Sequence, residues 1–272
     1  MKNLLVVNGE SYWSDFFPDV NVVQKKIQHS NWILRDQQLF VVDEKGVVQP
    51  DAILWRVGAI APTPIQTTAL NLIDLAAIPC VNSPATLKLG FDRLSMLAVL
   101  QQCQLPVIPF NVVTQSTLLK NIAIPFPFVV KAGNFHGGYG KILVQNETQW
   151  QDIKDLLFIT NDYITIEPYI NYQYDIRYLA IGQEVWAMTR KGKHWKANID
   201  TQAFQLIEPQ KQLVKQVQIL QQYLKADILA IDVLEDQQGK QYLVEYNDIP
   251  GLSGFPKSLK YALAAIVRAQ LE

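Results

Sequence analysis

The chain has little cysteine and little histidine: Cys80 and Cys103, and His29, His136 and His194, in 272 residues. Neither cysteine stands in a C-x-x-C spacing and both lie in apolar surroundings. The histidines are too scattered for a metal-ligand pattern. This argues against a disulfide scaffold or a zinc site and for reduced core thiols, hence a cytoplasmic location. There is no charge excess, since 24 Lys and Arg against 25 Asp and Glu leave a formal charge of −1, so neither nucleic acid nor an acidic membrane is an expected partner. No apolar run approaches the roughly 18 residues of a membrane helix. The start, MKNLLVVNGESYW, lacks a long apolar stretch and a small-residue cleavage site, and reads as a first β-strand rather than a signal peptide. No long repeat, low-complexity segment, or Ser/His/Asp or Cys/His constellation for nucleophilic catalysis is found.

What is present is 49% hydrophobic and 18% charged, a composition that suits a soluble folded enzyme of two or three lobes. Short apolar runs at 4–7, 39–43 and 52–57 read as strands, with a turn at 44–46 and a helix over 65–76 between and after them. That alternation predicts a parallel sheet. Asn82-Ser83-Pro84 breaks the pattern. Helical spacing of Leu87, Phe91, Leu94, Leu97 and Ala98 then predicts one helix ending before Pro106. Strands follow at 126–131 and 141–145, a helix capped by Asn146, a strand at 163–167, a hairpin over 175–189, a helix at 212–224, a second hairpin over 228–246 and a last helix from about residue 256. The expected organisation is a lobe over 1–84, a helix and lid lobe over 85–167, and a C-terminal lobe over 168–272.

Three segments carry chemistry. The run FVVK closes on Lys131 and opens a turn with four glycines, Gly133, Gly137, Gly138 and Gly140. Such a backbone can bring N–H groups close to phosphate oxygens, with Lys131, His136 and Lys141 as further donors. It is not a Walker loop, because no GK[ST] opens a following helix. An ordinary glycine-rich hairpin is the equal alternative on these residues alone. Asp232 lies in one strand of the second hairpin, and Glu245 and Asn247 lie two residues apart on one face of the other. Their apolar neighbours favour a buried role over a solvent-facing one, and three oxygen ligands suit Mg²⁺. Third, the strand ending at Glu167-Pro168-Tyr169-Ile170 has edge groups able to meet an adenine, and Asp175 and Arg177 follow. That last pair taken alone reads rather as a same-face surface pair. Arg190, Lys193, Trp195, Lys196 and Asn198 form a basic stretch that could receive an anion or remain a solvated loop.

In order and spacing these pieces resemble the ATP-grasp superfamily, and in detail the synapsins. The resembling segments are PDAILWR at 50–56, IPCVNS at 78–83, FDR at 91–93, FPFVVK at 126–131 with the loop 136–141, EPYI at 167–170, YDIR at 174–177, Ile181-Gly182 and WKAN at 195–198. The ending EYNDIPG at 245–251 is instead similar to the E-x-N-x-x-P-G of glutamate ligases and glutathione synthetase. Arg93 stands where the family commonly has Lys, and the arginine and double-glycine substrate segment of glutamate ligases is absent. The resemblance implies an α/β ATP-grasp fold with a Rossmann-like first lobe, a small lid lobe and a mixed or antiparallel C-terminal lobe. It implies ATP and Mg²⁺, with Mn²⁺ as an alternative ion, and a homodimer. Arg93 and Lys131 would contact phosphates, with His136 and Lys141 beside them. The backbone of Gly137, Gly138, Tyr139 and Gly140 would form the lid. Glu167, Pro168, Tyr169 and Ile170 would flank the adenine, with Asp175 near the ribose. Asp232, Glu245 and Asn247 would carry metal, and Arg177, Arg190 and Asn198 would stabilise the reacting groups. The implied activity is ligation of a small-molecule or peptide carboxylate to an amine, with a synapsin-like nucleotide-binding regulator as the rival.

Overall fold

A computed structural model describes the whole chain except residues 59, 60, 116, 118, 120–123, 161 and 197–200. The first third runs β1 (Asn3–Val7), β2 (Asn21–Lys25), β3 (Asn31–Arg35), β4 (Gln38–Asp43), β5 (Gly46–Val48), β6 (Ala52–Trp55), α1 (Pro64–Leu75), β7 (Cys80–Val81) and α2 (Pro84–Gly90). Strands β2-β1-β6-β7 form the expected parallel sheet, and β3-β4-β5 a separate antiparallel one. The unbroken apolar run of β1 follows from burial on both faces. Leu5 and Val7 pack with Ala69, Leu70 and Ile73 of α1, and Leu4 and Val6 with Leu259, Leu263 and Val267 near the C-terminus.

The single helix expected after residue 84 is two: α2 and α3 (Arg93–Gln102). The apolar period runs through both, but Asp92 caps α3, accepting from Ser95 N at 2.7 Å and from its hydroxyl at 2.9 Å. A side chain that takes the place of a backbone acceptor ends one helix and starts the next. The break puts Arg93 in the first turn of α3, beside the glycine loop.

The middle of the chain is β8 (Asn111–Val113), β9 (Phe128–Ala132), β10 (Lys141–Val144), α4 (Glu147–Phe158) and β11 (Ile164–Pro168). Its antiparallel sheet, β10-β9-β11-β8, packs with Trp150, Ile153 and Leu157 of α4. Asn146 caps α4 as expected, accepting from Gln149 N at 3.0 Å.

The last part is β12 (Tyr172–Ile181), β13 (Glu184–Lys191), β14 (Ala203–Ile207), α5 (Lys211–Leu224), β15 (Ile228–Asp236), β16 (Gln241–Asn247) and α6 (Lys257–Leu271). The sheet β14-β13-β12-β15-β16 is antiparallel and contains both expected hairpins. Ile176, Tyr178, Ile231 and Val233 face α5, whose Leu213, Val217, Leu220 and Leu224 fall on one stripe. Leu179, Ile181, Ile228 and Ala230 on the opposite face meet α6, and that core continues into β1. Among the described residues, no helix is long and apolar enough to cross a membrane.

Candidate functional site

The far end of that second face, beyond the reach of α6, carries charge instead of apolar side chains. Strand register dictates the arrangement. Asp175 lies opposite Arg190, Arg177 opposite Asp232, and Asp232 opposite Glu245. Alternation puts Asp175 and Arg177 on the same side of β12. Arg190 donates to both Asp175 oxygens, at 2.5 and 3.1 Å, and Arg177 grips both Asp232 oxygens at 2.8 and 2.7 Å. Arg190 also stands 3.2 Å from Asp232. Asp175 and Arg177 are therefore buried and paired to neighbouring strands, not to each other at the surface. Burial pushes the Asp232 carboxyl up, but Arg177 and Arg190 outweigh it and hold it down at about 2.

Glu245 is held by less. Its cation is Lys141, at 3.7 Å. Burial and Asp232 push its carboxyl up, while Lys141, Arg93 and Lys131 bring it below the usual glutamate range. Asn247 Nδ2 donates to Asp232 at 3.3 Å. Two carboxylates facing each other on paired strands, with an amide beside them, are a hard-cation donor set in kind. Its fit is incomplete at Asp232, whose two oxygens are already engaged by guanidinium. Among the described residues no three His, Cys, Asp or Glu side chains group for a metal.

Opposite lies the sheet β10-β9-β11-β8. Lys131, 5% exposed, ends the apolar run of β9 and pairs with Glu167 on β11 at 2.5 Å. Burial pushes its ammonium below the ordinary range against the pull of Glu167. The glycine turn doubles back to β10. Gly140 has φ +67, and a Cβ there would lie 2.8 Å from the Ala132 carbonyl, so only glycine fits without a shift. Arg93 N donates to Asn134 Oδ1 at 2.8 Å, its guanidinium bonds the Phe135 carbonyl, and Asn134 bonds the Phe91 carbonyl. Arg93 Nε is buried without a partner among the described residues. Tyr139 is 59% exposed.

Between these walls runs a narrow cleft with about 60 Å³ of free space. It brings together Lys131, Lys141, Glu167, Pro168, Tyr169, Ile170, Asp175, Arg190, Asp232 and Glu245. The Tyr169 amide is not free, since it donates to the Pro127 carbonyl at 3.2 Å. Trp195 and Lys196, read from the sequence as part of a basic stretch and of the synapsin-like segment 195–198, also line the cleft. His136 lies elsewhere, in a neighbouring pocket of about 90 Å³ with Gly90, Phe91, Asn247 and Asp248. Burial pushes its imidazole below the usual range, and pushes the Asp248 carboxyl up to about 7. Asn198 lies outside the described residues.

The geometry has relatives. Residues 94–257 match the family model described as the synapsin ATP-binding domain. Drosophila melanogaster synapsin is 30% identical over 132 residues, which are 45% of this chain and 13% of that protein's length. A probable α-L-glutamate ligase of Mannheimia succiniciproducens is 26% identical over 234 residues, 82% of this chain and 76% of that one. The fold is similar to that of the Chryseobacterium gregarium RiPP-associated ATP-grasp ligase in complex with ADP and a leader and core peptide. There the TM-score is 0.72 at 10% identity, covering 99% of this chain and 97% of the other. With more than half of its length matched, the chain belongs to the synapsin ATP-binding domain family of the ATP-grasp superfamily.

Proposed function

We propose that the protein is an ATP-dependent ligase that joins a carboxylate to an amine in the cytoplasm, with the cleft holding ATP between the lid sheet and the β15–β16 hairpin. The observation that carries the reading is the opposition of Lys131 and Lys141 on the lid to Asp232 and Glu245 on the hairpin. Cations that face carboxylates across a cleft can exchange those partners for phosphate oxygens, while the carboxylates take a divalent ion.

Lys131 and Arg93 would hold the phosphates, with Arg93 Nε as the donor now without a partner. Glu167 to Ile170 and Trp195 would bound the base. Asp232, Glu245 and Asn247 would hold Mg²⁺, which when bound neutralises phosphate charge. Arg177 and Arg190 would steady the transferring phosphoryl group, and Asn198 is assigned the same task by family likeness. A substrate carboxylate oxygen attacks the γ-phosphorus and the bond to ADP breaks. The amine nitrogen then attacks the acyl carbon, phosphate leaves and the nitrogen loses a proton. The glycine turn would keep water from the acyl phosphate.

The ending Glu245-Tyr246-Asn247-Asp248-Ile249-Pro250-Gly251 and the likeness to a glutamate ligase over 82% of the chain support ligation. The match to the synapsin ATP-binding domain supports the second reading, a nucleotide-binding regulator with little turnover. Magnesium-dependent ADP release, stimulated by pooled amino acids or peptides, separates them. Binding without acceptor-stimulated release favours the regulator, and no affinity for adenine nucleotides sinks both.

A further inference from the structure

Around the cleft the carboxylates are matched to cations of the chain: Asp175 to Arg190, Asp232 to Arg177 and Arg190, Glu167 to Lys131 and Glu245 to Lys141. Asp248 differs. Among the described residues no cation acts on its carboxyl, and its Oδ2 is buried without a hydrogen-bond partner. The backbone amides of Asp248 and Ile249 bond the carboxyl and fix its place. Gly90 leaves room for it, since a Cβ there would overlap Oδ2 and stand 2.7 Å from the carboxyl carbon. Both residues line the pocket of about 90 Å³, together with Val57 beyond the end of β6, Phe91, His136 of the glycine turn and Asn247. Through Asn247, which donates to Asp232, this pocket borders the facing carboxylates.

We propose that this pocket receives the primary amine that is joined to the acid, and that Asp248 Oδ2 accepts from its nitrogen. A carboxylate taken out of water without a cation is costly, and the cost falls when a ligand brings the positive charge. A primary ammonium is the class that fits. It is small, it carries the charge that the chain withholds, and its N–H groups form charge-assisted bonds. An alcohol brings one neutral donor, so Asp248 selects amine over hydroxyl acceptors. That the captured amine is the acceptor of ligation rests on the function proposed above, whereas its capture by Asp248 does not.

The probe is ethylammonium chloride, with ethanol and with sodium chloride at equal ionic strength as controls. The amine should raise the melting temperature of the nucleotide-free wild type above both controls, because a ligand held by the native state stabilises it. Asp248→Asn keeps the size of the side chain but not its charge, and should abolish that rise. Hydrogen exchange gives a second reading on wild type alone: the amides of Asp248 and Ile249 should exchange a few-fold more slowly with ethylammonium than with sodium. With pooled amino acids, Asp248→Asn should raise the pool concentration for half-maximal ADP release roughly tenfold while affinity for a fluorescent ATP analogue stays within about twofold, whereas a merely structural role would move both. No rise over sodium chloride in wild type, an equal rise in Asp248→Asn, or exchange at 248 and 249 that ignores the amine overturns the site. A wild type that captures the amine but binds no adenine nucleotide keeps the site and removes the ligase reading instead.

Discussion

At the scale of single residues, burial sets reactivity and pairing sets stability. Cys80 is buried in the parallel sheet and burial pushes its thiol far up, while Cys103, at the end of α3, is partly exposed and raised less by the same cause. The thiolate is the reactive form. A thiol reagent at mildly alkaline pH should therefore label Cys103 in the native protein and Cys80 only after denaturation. Equal labelling in the native state would contradict the placement. The buried Lys131–Glu167 pair behaves differently. Lys131→Met strands a carboxylate and should cost on the order of 3–5 kcal/mol in denaturant unfolding, whereas Lys131→Met with Glu167→Gln should recover a large part of it. Both variants should bind an ATP analogue at least about tenfold more weakly if the ammonium meets phosphate, a change of roughly 1.4 kcal/mol.

Elements show where local chemistry overrides periodicity. The apolar spacing across α2 and α3 is continuous, yet the Asp92 cap divides them and turns Arg93 toward the lid. The glycine turn is the reverse case, a segment with no periodicity whose shape depends on backbone freedom. Gly140 and Gly239 both have positive φ, +67 and +78. A Cβ on Gly239 meets nothing within 4 Å, while one on Gly140 meets the Ala132 carbonyl at 2.8 Å. Gly140→Ala should thus be less stable than Gly239→Ala by about 1 kcal/mol or more in urea unfolding, since it adds a clash to the common strain. Equal losses would mean that the turn relaxes.

For the whole molecule, one side chain joins the first sheet to the last. Asn82 follows β7, is buried, donates to the carbonyls of Ile228 at 2.7 Å and Asp248 at 2.8 Å, and accepts from the amides of Asp227 at 2.7 Å and Ile228 at 2.9 Å. All of its bonding capacity is thus spent between sheets. Asn82→Ala leaves two buried and two partly buried backbone groups without that partner and should cost about 2–4 kcal/mol. Asn82→Asp should cost more, because an ionised carboxylate would face two carbonyls. A melting series in which Asp is milder than Ala would refute that account.

Much of this was legible along the chain because it is local. Strand and helix runs, the Asn146 cap, both late hairpins and the Glu245/Asn247 alternation follow from period and turn chemistry. Strands β2, β3, β5, β7, β8 and β14 were not legible, because each is either two or three residues long or lies partly exposed at a sheet edge, where burial imposes little apolar pattern. Composition and spacing alone determined the classes of residue available: a lysine ahead of glycines, carboxylates inside apolar strands, an arginine two residues from an aspartate. Only the tertiary structure decided which of them pair. Salt bridges such as Arg190–Asp175 and Arg177–Asp232 arise from register between strands, and register is set by packing against α5 and α6 rather than by any residue's own neighbours in sequence.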